Sequence, residues 1–367
     1  MNALNCQWAL DAMDYAKPLF TVQEVNAAGN KIADLLTMPN EQFEKLGPDW
    51  IGNAFTVINN WRAAHNYPLN SIYVTLKNRS SKIHTGALIA QRIKRVMSIG
   101  FKLANQRDMK LSQMQDIGGC RAILPTLANI HALRDAYRAR PLTHAFIGEK
   151  DYIDNPKNTG YRGIHLKYRF SGKATSAPWD GLKIEIQLRT TLQHTWATAV
   201  EAAGTFTSEA LKSNKGRQEW LRFFALMSSV FALREGCNPI PGTPPNIVDL
   251  HNEIMQLNKQ HHMVSVFAQY RKIIPRIDKQ SYAKYFLVTL DPVKREVNVK
   301  RFGGHESQRA NAAYTQMEAA FRKTDINVVL VSVSSIKALK RAYPNYFLDT
   351  EDFLREVSLI VGDEYAA

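Results

Sequence analysis

Two segments in the middle of the chain alternate apolar and polar residues with the two-residue period of a β-strand. In GIHLKYRF, the apolar positions run from Ile164 to Phe170, and the polar positions between them are His165, Lys167 and Arg169. LKIEIQLR shows the same alternation, with Glu185, Gln187 and Arg189 on its polar side. We therefore predict two half-buried strands, each with one charged face.

Other segments around these strands show helical or strand-like spacing. SIYVTL and GGCRAILP are predicted strands, and a polar loop is predicted over GEKDYIDNPKNTGYR. The predicted helices are HTGALIAQRIKRVMSIGFKLA, LANIHALRDAYRAR and TTLQHTWATAVEAA. The pattern indicates an α+β fold with a small mixed or largely antiparallel sheet.

The flanking regions divide the chain into four predicted parts. Residues 1–70 are an N-terminal helical segment, and 71–205 form the α+β core. Residues 206–275 are a helical connector that contains the Pro- and Gly-rich stretch GCNPIPGTPPN. Residues 276–367 are a small C-terminal module with the element order ββαβα, which begins with the strands YFLVTL and EVNVKRF.

Composition narrows the class of protein. No run of about 18 apolar residues occurs, so we expect no transmembrane helix. The N-terminus lacks the basic start of a secretory signal. Three widely spaced cysteines form neither a disulfide framework nor a zinc pattern, and we expect a reducing cytoplasm.

The net charge of +14 is concentrated in one part of the chain. Residues 71–205 have 21 basic and 9 acidic residues, a net charge of +12. Residues 1–70 have a net charge of −3, and residues 206–367 of +5. This concentration predicts a polyanionic ligand at the core, although a merely soluble basic surface is the alternative.

Carboxylates, imidazoles and guanidinium groups could converge from the predicted core elements. Asp116 precedes a strand that carries Arg121, Glu185 lies on a polar strand face, and His194 lies on the following helix. Phosphoryl-type transfer needs such a mixture, because carboxylates bind a hard cation and basic groups neutralise the transferred group. Taken singly, Asp116 could be a helix cap, Glu185 a solvated residue and Tyr161 a surface aromatic.

Several other phosphoryl-transfer and hydrolase motifs do not occur in the sequence. It contains no G-x-x-x-x-G-K-[ST] loop, no H-R-D and D-F-G set, and no H-E-x-x-H. No histidine is followed by aspartate, so a metal-dependent HD hydrolase is unsupported.

Four stretches together resemble the synthetase domain of the RelA/SpoT family, which transfers pyrophosphate from ATP to a nucleotide 3′-hydroxyl. They are RSSKIHTGALIAQRIKR, DIGGCRAI, DYIDNPKNTGYRGIHLKY and EIQLRTTLQHTWA, within about 72–201. The resemblance implies a nucleotidyltransferase-like mixed-sheet core. It also implies that Asp116 and Glu185 bind Mg²⁺ and that Glu185 helps to activate the acceptor hydroxyl.

The resemblance implies roles for further residues. Arg79 and Arg121 would sandwich the adenine of ATP, and Tyr161 would stack on the acceptor base. Phosphate contact or loop ordering is implied for Lys82, Lys157, Arg162 and His165, and support of the site for Gln187, Arg189 and His194. The family usually has Arg-x-Lys and then Ser four residues later. Here Lys82 lies three residues after Arg79 and Thr85 replaces Ser, so Lys77 is the alternative phosphate ligand.

The C-terminal extension favours one group within the family. The chain resembles the fused toxin–antitoxin group CapRel, in which a pseudo-zinc-finger module blocks the ATP site through a Tyr-x-x-Tyr motif. Here Tyr343 and Tyr346 fit that motif, although two ordinary core or surface tyrosines are the alternative. The resemblance implies an autoinhibited, monomeric enzyme without a membrane anchor. It would modify the 3′ end of tRNA and be released by a phage structural protein such as the major capsid protein.

Two other functions stay open at this stage. One is a small alarmone synthetase that makes (p)ppGpp or (p)ppApp from GDP, GTP or adenine nucleotides. The other is a catalytically inactive RNA-binding module, which the charge favours and the intact Asp116, Tyr161 and Glu185 argue against. On charge, the predicted RNA contacts are Lys150, Lys157, Lys173, Lys212, Lys215 and Arg217.

Overall fold

A computed structural model describes most of the chain in side-chain detail. The described residues are 15–38, 50–206, 216–269, 274–277, 283–291, 293–294, 296–321, 324, 326–333, 339–340, 342–343 and 350–362. Tyr346, Lys212 and Lys215 lie outside them.

The N-terminal half contains the helical flank and the α+β core. Its helices are α1 (Val22–Thr37), α2 (Ala54–Ala64), α3 (Asn66–Ile83), α4 (Val96–Asn105), α5 (Leu127–Ala139) and α6 (Thr191–Phe206). Its strands are β1 (Leu88–Ile93), β2 (Gly118–Leu124), β3 (Ala145–Asp151), β4 (Ile164–Arg169) and β5 (Lys183–Thr190). The predictions of β2, β4, β5, α5 and α6 are confirmed.

The C-terminal half begins with the helical connector. Its helices are α7 (Gln218–Arg234), α8 (Ile247–His261), α9 (Met263–Gln269), α10 (Ser307–Ala320) and α11 (Glu351–Val361). Its strands are β6 (Ile274–Ile277), β7 (Tyr285–Asp291), β8 (Glu296–Phe302) and β9 (Asn327–Ser332). The predicted ββαβα order is confirmed by β7 to α11, whereas the short strand β6 was missed. The likeness of this module to a pseudo-zinc-finger stays a prediction.

All the described strands belong to one sheet, in the order β3-β4-β5-β2-β1-β9-β7-β8-β6. The pairs β2–β5 and β6–β8 are parallel and the other pairs are antiparallel, so the predicted mixed sheet is confirmed. The C-terminal strands extend the core sheet through a short ladder between β1 and β9. That ladder pairs Gln91 with Ser332 and Arg92 with Val331.

Two predicted elements near the start of the core are wrong. SIYVTL lies in α3, where Leu69, Ile72 and Leu76 are buried at helical spacing against the sheet. β-Branched residues suggested a strand there, but packing on the sheet decides the helix. The predicted long helix from His84 is instead strand β1 followed by α4. Strand β1 is buried on both faces between β2 and β9, so it does not alternate.

The two faces of the core sheet have different coverings. Helices α3 and α5 pack on one face, over Cys120, Ala122 and Ile186. On the other face, Leu88, Ala90 and Ile123 pack against residues of the C-terminal module, including Val331 and Tyr343. The polar side chains of β2 and β5 share this second face, because successive residues of a strand point to opposite sides. The candidate site therefore lies at the contact of the core with its C-terminal module.

No described helix combines the length and the apolar character that a membrane crossing requires.

Candidate active site

Asp116 and Glu185 line the same small cavity. Asp116 lies two residues before β2, and in the parallel ladder Gly119 of β2 pairs with Glu185 of β5. The cavity measures about 40 Å³, and its lining includes Arg92, Lys94, Asp116, Arg121, Glu185, Gln187 and Tyr343. A volume of this size admits a few waters or a cation, since one water needs about 10–15 Å³ on this measure. In this arrangement it is too small for a nucleotide.

Asp116 is held by two ammonium groups. Lys94 Nζ lies 2.8 Å from Oδ2, and Lys102 Nζ lies 3.0 Å from Oδ1. Lys94 follows β1, and Lys102 lies on the second turn of α4, so both cations come from one continuous segment. Burial raises the pKa of the Asp116 carboxyl, but the two lysines outweigh it and hold that pKa well below its usual range.

Glu185 is held by hydrogen bonds from a histidine and an amide instead. His165 Nδ1 donates to Oε1 at 2.9 Å, and Gln187 Nε2 donates to Oε2 at 2.8 Å. Burial raises the pKa of Glu185, and the nearby Asp116 adds to that, but the hydrogen bond and charge interaction with His165, helped by Gln187, bring it down to about 2. Both carboxylates are therefore ionised at neutral pH.

These two carboxylates suit a magnesium ion. Mg²⁺ takes oxygen ligands and is commonly bound by one or two carboxylates together with substrate phosphates and waters. Among the described residues, no group of three or more His, Cys, Asp and Glu side chains could hold a metal by itself. The site thus fits an ion that arrives with a phosphate ligand, and Asp116 and Glu185 would hold it.

Arg121 lies on the same face and is covered by the C-terminal module. Its guanidinium carbon lies 5.2 Å from the centre of the Tyr343 ring, and Nη1 donates to the Ala342 carbonyl at 3.3 Å and to His194 at 3.4 Å. Burial, with Arg189 nearby, lowers the pKa of Arg121 to about 10, so it remains protonated at neutral pH. The predicted meeting of Tyr343 with Arg121 is present in the structure.

Arg79 does not face Arg121. Its guanidinium donates to the carbonyls of Ala136 at 3.0 Å and Arg140 at 2.6 Å and lies over the Tyr137 ring. Tyr137 packs on the helix-covered face of the sheet, opposite to Arg121. In this arrangement the structure does not form the predicted Arg79–Arg121 sandwich, and the exposed Lys77 and Lys82 do not line the cavity.

The basic residues at the cavity are ones that the sequence analysis did not select: Arg92, Lys94 and Lys102. Arg92 and Lys94 line the cavity, and Lys102 contacts Asp116. The sequence contained the signal, because Arg92-Ile93-Lys94 is followed four residues later by Ser98. This matches the family spacing without the departures found around Arg79. The Arg92-Ile93-Lys94 signal was missed because a helix was predicted over the residues that form β1.

The loop before β4 places Tyr161 in the core. Gly160 has φ +91°, and a Cβ there would lie 2.8 Å from Trp196, so only glycine fits. Tyr161 is 9% exposed and its hydroxyl contacts His165 and Arg189. It is therefore not an open stacking surface in this arrangement. The next residue, the buried Arg162, donates to Glu235 at 2.8 Å, while Lys157 is exposed above the Tyr152 ring.

Comparison with known proteins relates the core to one family. Residues 91–209 match the family described as the region found in RelA/SpoT proteins. The GTP pyrophosphokinase YjbM of Bacillus subtilis is 31% identical over 113 residues, which are 30% of this chain and 52% of that protein. The chain thus spans about half the length of this curated relative.

Solved structures are similar at lower identity. The small alarmone synthetase 1 of Bacillus subtilis bound to its product pppGpp is 20% identical, with a TM-score of 0.40, over 54% of this chain and 94% of that one. A GTP pyrophosphokinase family protein from Streptococcus pneumoniae is 19% identical, with a TM-score of 0.39, over 54% of this chain and 91% of that one.

Proposed function

We propose that the chain uses the region that matches the RelA/SpoT family, residues 91–209, as a synthetase domain that transfers pyrophosphate from ATP to a ribose 3′-hydroxyl. The observation that carries the proposal is the cavity shared by Asp116, Glu185, Lys94 and Arg121. It joins two ionised carboxylates to the cations that a polyphosphate requires.

Each group has a defined task in this proposal. Lys94 and Lys102 exchange Asp116 for the phosphates of ATP, and Arg92 and Arg121 bind the nucleotide beside them. A magnesium ion, when bound by Asp116 and Glu185, supplies charge neutralisation at the transferred group. Glu185 accepts the proton of the acceptor hydroxyl as the 3′-oxygen bonds to the β-phosphorus of ATP. The bond between the β-phosphorus and the α,β-bridging oxygen breaks at the same step, and AMP leaves.

A transfer assay with ATP labelled in its β-phosphate tests the proposal. Glu185→Gln and Asp116→Asn should each lose transfer, whereas Asp135→Asn, at an exposed position on α5, should keep it. Wild-type transfer by either site variant, with the protein folded, would exclude these residues from the chemistry.

For the acceptor we propose the 3′ end of tRNA. Several cations lie on the sheet face of Glu185, because Lys150 pairs with His165, Lys167 with Glu185, and Arg169 with Lys183. The pKa of Lys167 is lowered by burial and then by Lys150, which indicates that the cations are close together. Such a strip suits a chain of phosphates better than one nucleotide. Of the predicted RNA contacts, Lys150, Lys157, Lys173 and Arg217 are exposed.

A guanine nucleotide is the second candidate acceptor. The supporting observation is the likeness to the GTP pyrophosphokinase YjbM. The same labelled ATP, offered with tRNA, GDP or GTP, separates the two. Label on tRNA that falls steeply with added salt supports the first, because many phosphate contacts are involved. Label on GDP or GTP and never on tRNA supports the second.

We further propose that the C-terminal module keeps the enzyme inactive. Tyr343 is 2% exposed, lies over Arg121 and lines the cavity that the nucleotide must enter. An inhibitor on the same chain acts at high effective concentration, so modest contacts suffice. A partner that binds the open arrangement better would release it, and the candidate partner is a phage structural protein such as the major capsid protein.

Tyr343→Ala tests the closed state. We expect basal transfer to rise about tenfold or more, since a cation–π contact and a buried ring are lost. Leu359→Ala, at an exposed position on α11 of the module, is the control and should leave basal transfer unchanged. Unchanged transfer in a folded Tyr343→Ala protein would remove this residue from the inhibition. Tyr346→Ala extends the test to the other predicted tyrosine.

A further inference from the structure

Glu185 and four neighbouring side chains form a closed ring of hydrogen bonds. Glu185 accepts from His165 at 2.9 Å and from Gln187 at 2.8 Å. His165 Nε2 lies 2.5 Å from the Tyr161 hydroxyl, which accepts from Arg189 Nη2 at 2.9 Å. Arg189 Nη2 also donates to Gln187 Oε1 at 3.0 Å and closes the ring. Two arms thus lead from Arg189 to the two oxygens of Glu185.

We infer that Arg189 is a positioning residue that orients both arms and so fixes the direction of both Glu185 carboxylate oxygens, although the two side chains do not touch. The inference rests on the proposed function, in which Glu185 binds the metal and accepts a proton.

The direction of the first arm follows from the chemistry of arginine. A guanidinium can only donate, so the Tyr161 oxygen accepts from Arg189. Among the described residues, this hydroxyl has no hydrogen-bond partner besides Arg189 and His165, so its proton goes to His165 Nε2, which carries a lone pair. His165 is therefore the neutral tautomer with its proton on Nδ1, and that proton is donated to Glu185.

The second arm follows from the same constraint. The Gln187 side chain accepts from Arg189 through its carbonyl oxygen, which leaves its amide nitrogen facing Glu185. The reversed amide would place two donors against each other. Both arms therefore end in donors, and each donor holds one oxygen of Glu185 in place.

The burial of the ring makes this orientation persistent. Arg189 is 4% exposed, Glu185 7% and Tyr161 9%, and the Arg189 guanidinium also lies 5.0 Å from the Tyr161 ring centre. Among the described residues, no carboxylate lies within ion-pair distance of Arg189. A buried cation with neutral partners is costly, so a purely stabilising role explains it poorly.

Nitrogen-15 NMR of labelled histidine tests the orientation directly. In the wild-type protein the His165 signal, assigned by its loss in His165→Gln, should show a protonated Nδ1 and a bare Nε2. Arg189→Met and Tyr161→Phe should each move His165 to a mixture of tautomers. Arg138→Met, an exposed arginine on α5, is the matched control and should leave the signal unchanged. An unchanged tautomer in folded Arg189→Met would overturn the inference.

Kinetics supply the second readout. Arg189→Met should lower kcat roughly 10- to 100-fold with little change in the KM for ATP, as do losses of groups that orient a ligand. Tyr161→Phe added to Arg189→Met should cost little more, because both break the same arm. A fully additive loss would contradict the relay. If wild-type protein transfers no pyrophosphate, the proposed function fails, while the tautomer experiment still decides the ring.

Discussion

Asp116 and Glu185 line one cavity, yet the protein holds them in opposite ways. Asp116 contacts two lysine ammonium groups, and its side chain keeps 21% of its surface exposed. Glu185 contacts a histidine and a glutamine, and its side chain is 10% exposed. Both pKa values are depressed, the first by charges and the second largely by hydrogen bonds.

The difference lies in how easily the partners of each carboxylate can be displaced. Charged partners are shared readily with other charges, so the phosphates of ATP can draw Lys94 and Lys102 away from Asp116. Neutral donors fixed in a buried ring have no such competitor. Under the proposed function, Asp116 is thus an exchangeable ligand, whereas Glu185 is set in place before the substrate arrives.

The largest expected effect is the loss of activity at either carboxylate. We predict that Glu185→Gln and Asp116→Asn each reduce pyrophosphate transfer by roughly 100-fold or more, because each removes charge at the reacting group. Single-turnover assays at saturating ATP measure this. If one variant kept its rate while the other lost it, the two would not share a site.

Substituting the lysines that hold Asp116 should act on ATP binding. Lys94→Met and Lys102→Met should raise the KM for ATP roughly 10- to 100-fold, the value of a charge-assisted contact. Lys294→Met, in the exposed turn after β7, is the control. An unchanged KM would show that these lysines serve only Asp116.

Stability should separate the two carboxylates. Asp116→Asn leaves two half-buried lysines facing each other, and we expect it to lower the free energy of unfolding by about 1–2 kcal/mol. Glu185→Gln still accepts from His165 and should cost under about 1 kcal/mol. Urea unfolding measures both, and equal losses would remove the contrast.

The smallest effects concern pH and salt. Both carboxylates have depressed pKa values in the folded chain, so their stabilisation is full above the unfolded values near pH 4 and is lost below them. For Glu185 the loss falls between about pH 4 and its folded pKa of about 2. Salt at 1 M should shrink the stability gap between wild type and Asp116→Asn at neutral pH. The gap for Glu185→Gln should not change.

The sequence predicted which residues lie on polar strand faces better than it predicted how the strands assemble. Alternation in β4 and β5 identified His165, Lys167, Glu185 and Gln187 on polar faces, because one side of each strand is polar. The same reasoning failed for β1, because it is buried on both sides and its sequence therefore does not alternate between apolar and polar residues. With a helix predicted there, the ATP contacts were placed at Arg79, Lys77 and Lys82, whereas Arg92 and Lys94 line the cavity.

The hydrogen-bond ring could not be predicted from faces alone. It depends on the register that places His165 opposite Gln187 and Lys167 opposite Glu185. It also depends on the positive φ of Gly160, which carries Tyr161 inward. Strand alternation shows which side a residue faces and leaves its cross-strand partner open.

The pairing between β1 and β9 is a short connection between the two halves of the sheet. Among the described residues, two residue pairs join these strands, whereas six pairs join β1 to β2 and six join β7 to β9. We expect a force across the sheet to break the pairing between β1 and β9 before the other strand pairings. One of the two pairs belongs to Arg92, whose side chain lines the cavity. Separation of the C-terminal module from β1 would therefore move a residue that lines the cavity, and it would leave the backbone of β1 unpaired and able to pair with another strand.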